Sequence, residues 1–91
     1  MRVTWSEPAT RDLHHIADYI AERNPAASQR VVRTIIESCG SLSLFPYRGR
    51  PSRMKGKREF VFSPLPYIAV YNIHDTHVEI LRIYHTAQDW P

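Results

Sequence analysis

The chain has 91 residues, 43% of them hydrophobic and 23% charged, with a formal net charge of +3 at neutral pH. That length allows one domain, expected to span residues 1–91, with one modest core, and the composition lies far from the low-hydrophobicity, high-charge signature of disorder. No apolar run approaches the roughly 20 residues that cross a bilayer, no signal-peptide core follows Met1, and the lone Cys39 has no disulfide partner, so a cytoplasmic protein without membrane contact is expected.

In Arg2-Val3-Thr4-Trp5 the apolar residues alternate, which predicts a short strand with Val3 and Trp5 on one face, ended by Ser6 and Pro8. From Pro8 to Arg23 the residues Leu13, Ile16, Ala17 and Ile20 recur at helical spacing, with Asp12, Asp18 and Glu22 outside and Ser6 suited to cap the helix. Asn24-Pro25 marks a stop and a restart. Asn24 suits an N-cap and Pro25 the first position of a second helix reaching about Leu42, striped by Val31, Val32, Ile35, Ile36, Cys39 and Leu42. So short a connection folds the two helices back on each other as a hairpin. Residues 44–57 hold two prolines and two glycines, match no period, and read as a loop.

Arg58–Phe62 reads as a strand, Ser63–Pro66 as a turn, Tyr67–Ile73 as a second strand, His74–Thr76 as a tight turn, and His77–Tyr84 as the last strand. Three consecutive strands with short turns form an antiparallel meander. The expected architecture is therefore α+β in the order β-α-α-β-β-β, a helical hairpin packed on a small antiparallel sheet.

Charge is unevenly distributed. Arg48, Arg50, Arg53, Lys55, Lys57 and Arg58 fall within eleven acid-free residues, which carry +6 and leave the rest of the chain at −3. Such a patch suits a polyanion or an acidic protein partner, and the plainer reading is a solvated loop that keeps the chain soluble. Arg82, Tyr84 and His85 close the last strand. Arginine grips phosphate bidentately and histidine titrates near neutrality, so this group, with Arg58, has the residue types for phosphoryl chemistry. The structural alternative pairs Arg82 with Glu79 or Glu59, packs Tyr84, and lets His85 end the strand. The pairs His14/His15 and His74/His77 do not form a compact zinc-ligand set, and no Gly-rich phosphate loop appears, so neither metal nor cofactor is expected.

Read in order, the segments Trp5-Ser6-Glu7-Pro8-Ala9, Asp12-Leu13, Ile16-Ala17-Asp18-Tyr19-Ile20, Leu44-Phe45-Pro46-Tyr47-Arg48-Gly49-Arg50, Tyr67-Ile68-Ala69-Val70-Tyr71 and Ile80-Leu81-Arg82-Ile83-Tyr84-His85 resemble the RelE/ParE superfamily over essentially the whole chain. The resemblance implies the toxin half of a toxin–antitoxin pair, with a cognate antitoxin as partner. ParE-like members poison DNA gyrase, whereas RelE- and YoeB-like members enter the ribosome and cut mRNA. In YoeB-like members an arginine precedes the middle strand's "L-V-Y". Here Tyr67–Tyr71 carries no charge, so this chain is closer to the ParE branch, with no direct sequence-specific DNA binding of its own.

On the ribonuclease alternative the resemblance assigns catalysis to Arg58, Arg82 and His85. On the gyrase reading, Arg48, Arg50, Arg53, Lys55, Lys57 and Tyr84 are expected to contact target or antitoxin. A further alternative is a member that has lost toxicity and retains only antitoxin binding.

Overall fold

The structure is a computed structural model that describes residues 1–87. Its elements are β1 (Arg2–Trp5), α1 (Glu7–Ala21), α2 (Pro25–Gly40), β2 (Arg50–Pro51), β3 (Arg58–Val61), β4 (Tyr67–Ile73) and β5 (His77–His85), with 3-10 turns at Ser41–Ser43 and Pro46–Arg48.

Local chemistry sets the helix starts. The Ser6 hydroxyl accepts from the Ala9 N–H at 3.1 Å and the Asn24 side chain from the Ala27 N–H at 3.0 Å, each satisfying a donor that the first helical turn leaves open. Pro8 and Pro25 occupy first-turn positions where a missing N–H has no cost. The helices then bury one face each. Ala9, Leu13, Ile35, Cys39 and Leu42 join Tyr67, Ala69, Tyr71, Val78, Ile80 and Ile83 of the sheet in one core. Within it, burial pushes the Cys39 thiol up to about 12, so Cys39 is an inert core residue.

The predicted meander β3-β4-β5 is present, with an addition at each end: the five-stranded sheet runs β1-β5-β4-β3-β2. β1 lies parallel to β5, with Arg2 opposite His77 and Trp5 opposite Ile80, so the sheet is mixed. β2 is a two-residue strand antiparallel to β3, inside the segment expected to be loop.

A bulge divides β5. Tyr71 pairs with Ile80 and Val70 with Arg82, which leaves Leu81 as the extra residue. The extra residue resets the alternation, so Val78 and Ile80 before it and Ile83 after it all reach the core. β1 ends opposite Ile80, and beyond that point α1 supplies the missing edge partners. Ser6 N donates to Ile80 O at 2.9 Å, the Ser6 hydroxyl to Leu81 O at 2.8 Å, and Ile83 N to Asp12 Oδ2 at 2.9 Å. Arg82 completes the junction with a bidentate grip on Asp12, Nε to Oδ2 at 2.7 Å and Nη2 to Oδ1 at 3.0 Å.

Arg82 therefore pairs with neither Glu79 nor Glu59, the two partners that the structural alternative gave it. Glu79 lies 3.0 Å from His74 Nε2, and Glu59 accepts from Arg50 Nε at 2.7 Å. The bulge turns Arg82 toward α1, where an acid 70 residues away in sequence lies nearer than either.

The segment between α2 and β3 is aperiodic yet fixed. Buried Tyr71 donates its hydroxyl to Pro46 O at 2.7 Å and accepts from Gly49 N at 3.1 Å. A Cβ on Gly49 would lie 2.4 Å from Glu59 O and 2.6 Å from the Tyr71 hydroxyl, so no other residue fits without displacing backbone.

Three stability effects follow and are read from urea unfolding midpoints. Asp12→Ala, which strips Ile83 N–H and Arg82 of their acceptor, should lower stability by about 2 kcal/mol at unchanged m-value; an effect below about 0.5 kcal/mol would refute the bridging role. Gly49→Ala should cost about 1–3 kcal/mol through forced displacement of β3 or Tyr71. Tyr71→Phe should cost about 1–2 kcal/mol, because it strands the Gly49 N–H.

Candidate functional site

The sequence placed its candidate chemistry in two groups, the basic segment 48–58 and the end of β5, and the structure distributes these residues over three places. Arg82 sits at the α1–β5 junction. Its guanidinium lies 5.0 Å from the Tyr84 ring centroid, and its hydrogen bonds to Asp12 hold its pKa above the ordinary arginine value. It is a fully charged group already committed to a carboxylate.

Arg58 lies at the start of β3, opposite Tyr71. It donates from Nη2 to Gly49 O at 2.5 Å and to Tyr47 O at 3.4 Å, and stacks 5.1 Å from the Tyr47 ring centroid. Its neighbours in the basic segment are also engaged. Arg48 donates to the Ser41 hydroxyl at 2.9 Å and stacks on Phe60, and Arg50 holds the buried carboxylate of Glu59. Lys55 and Arg53 are exposed on the β2–β3 turn, where Gly56 adopts φ +78°. Lys57 and Arg58 line a cleft of about 370 Å³ together with Tyr47, Ser52 and Ile73.

His85 lies opposite Tyr67, at the other end of β4 from Arg58, so roughly 13 Å of strand separates the two positions. Its ring meets Tyr67 edge-on at 5.3 Å, and its Nδ1 accepts from Ala87 N at 3.0 Å. Together with His15, Ile16 and Tyr19 of α1, this pair lines a second cleft of about 390 Å³. Burial, with a smaller contribution from Tyr19, raises the Tyr67 pKa above the ordinary phenol value. The alternation expected at the end of β5 holds here. His85 joins Tyr67 on the helix side of the sheet, whereas Tyr84 packs with Ile68, Val70 and Leu81 on the far side.

Arg58, Arg82 and His85 thus occupy three separate environments and do not converge on one phosphate-sized position. β4, the strand between them, is buried from Tyr67 to Tyr71 and carries no charge.

Sequence reasoning did not single out His15, Tyr19 or Tyr67 as lining a cleft, although His15 and Tyr19 stand four apart on one helix face. Leu44, Phe45 and Tyr47 fall in the segment read as a loop, and the sequence reading gave them no role. They are 79%, 62% and 70% exposed. Among the described residues no group of three or more His, Cys, Asp or Glu is placed to hold a metal ion, and no helix is long and apolar enough to cross a membrane.

This arrangement has known counterparts. Putative toxin Y4kP of Sinorhizobium fredii is 41% identical over 90 residues, covering 99% of this chain and 93% of that protein. Toxin RelE2 of Caulobacter vibrioides is 38% identical over 87 residues, covering 96% and 97%. Among solved structures, a chain of the chromosomal ParDE TA system from P. aeruginosa superposes with a TM-score of 0.85 at 27% identity, over 93% of this chain and 95% of that one. The family model for the ParE toxin of the type II toxin–antitoxin system, parDE, matches residues 3–90, and the chain belongs to that family.

Proposed function

We propose that this ParE-family toxin acts in the cytoplasm by inhibiting DNA gyrase without hydrolysing its target, and that a cognate antitoxin holds it inactive. The observation that carries the reading is the dispersal of the cations. Stabilising the charge that develops on a scissile phosphate requires donors preorganised around one point. Arg82 is instead held by Asp12, Arg58 by the Gly49 and Tyr47 carbonyls, and His85 stands at the far end of an uncharged strand. These residues serve the junctions that define the fold. A protein that works by occupying a partner needs a rigid surface of defined shape, which those junctions supply.

A second reading rests on the cleft at His85. Its two histidines and two tyrosines are titratable or hydrogen-bonding groups around one cavity, the residue types a ribosome-dependent mRNA endonuclease would use for proton transfer.

Three measurements separate the readings. Purified toxin at micromolar concentration should block gyrase supercoiling or trap gyrase-dependent DNA breaks, and cells expressing it alone should filament with a DNA-damage response. Inert gyrase together with cleaved transcripts would refute the proposal. His85→Ala should remain as toxic as the parent. If that variant folds and is harmless, the gyrase reading loses to the endonuclease.

A further inference from the structure

Three large apolar side chains exposed within four residues are unusual on a chain this small, and a contiguous exposed apolar patch marks an interaction site more often than chance. Met1, 48% exposed, borders them: its amino group donates to Ser43 O at 3.1 Å, and the Ser43 hydroxyl donates back to Met1 O. The patch is not a loose loop. Leu44 N and Phe45 N both donate to Ser41 O, Arg48 N donates to Phe45 O, the Tyr71 hydroxyl holds Pro46 O, and Arg58 grips Tyr47 O. A surface fixed in this way loses little conformational freedom when it binds.

The surroundings of the patch specify what it would bind. Tyr47 lines the same cleft as Lys57 and Arg58, together with Ser52 and Gly56. The aromatic–cationic surface therefore runs from Leu44 to Lys57, a stretch without Asp or Glu that, together with Arg58, holds half of the chain's twelve Lys and Arg residues. By contrast, the groove on the helical hairpin at Ala17, Val32 and Ile36 is flanked by Arg33 and Glu37, charges of both signs that select no partner.

We propose that Leu44, Phe45 and Tyr47 form the anchor site for an apolar segment of the antitoxin, whose adjoining carboxylate enters the cleft between Tyr47, Lys57 and Arg58. The inference rests on the reading that an antitoxin neutralises this chain, and it is independent of gyrase as the target. Apolar contact on the fixed aromatic surface supplies affinity, and the carboxylate in the cationic cleft supplies register and a salt-dependent association rate.

The test uses purified toxin and the antitoxin encoded beside it, with no gyrase present. Leu44→Ser with Phe45→Ser should weaken the complex about tenfold or more, mainly through faster dissociation. Lys57→Glu should slow association and flatten its dependence on salt. Leu44→Ser alone, at the most exposed of these positions, gives the reading if the double variant fails to fold. Unchanged affinity and salt dependence in the folded variants would overturn the proposal. So would variants that lose toxicity yet bind antitoxin fully, which would assign the patch to the target, or variants that lose only self-association, which would assign it to a second copy of the chain.

Discussion

The Asp12 carboxylate at the open edge of β5 is the contact on which the rest of the arrangement depends. A strand edge presents backbone groups that must find partners, and β1 covers only the first half of β5. Beyond Ile80 the partners come from the start of α1, through the Ser6 hydroxyl and the Asp12 side chain. The same carboxylate takes the Arg82 guanidinium, so one side chain docks the helical hairpin, terminates the sheet edge and fixes the bulge at Leu81. Once the bulge is fixed, Ile83 faces the core and His85 faces the helices. The site geometry at the end of β5 is thus a consequence of how α1 is attached.

Local features of the fold were legible in the sequence. Ser6, Asn24 and Pro25 act within three residues of their own positions, so the helix starts could be read directly, and the β-prone runs Tyr67–Ile73 and His77–Tyr84 between turn residues marked two strands. Features that need a distant partner were not legible. Nothing near Arg82 in sequence indicates Asp12, and the nearer acids, Glu79 and Glu59, were the natural expectation. A two-residue strand containing Pro51 has no period to detect, and the parallel placement of β1 is decided by the path of the helices rather than by residues 2–5.

The segments that carried the family resemblance prove to be largely architectural. Gly49 stands where a side chain would collide with β3, Pro46 and Tyr71 hold the turn beside it, and Arg82 closes the edge of β5. This explains why membership was easy to see and the target was not: Pro46, Gly49, Tyr71 and Arg82 specify how the chain packs, and packing positions do not report what the surface meets.

Pairing of Arg2–Trp5 with His77–Ile80 joins the first strand to the last across about four fifths of the chain. Contacts so distant in sequence are slow to form, because a long loop must close before any pairing rewards it. During synthesis β1 waits, unpaired, until β5 has left the ribosome, and the α1 junction waits with it. The helical hairpin can form early, but the sheet that orients it cannot close. A nascent toxin therefore acquires its final shape only after β5 has emerged, and until then it offers a partner an open chain rather than a finished surface.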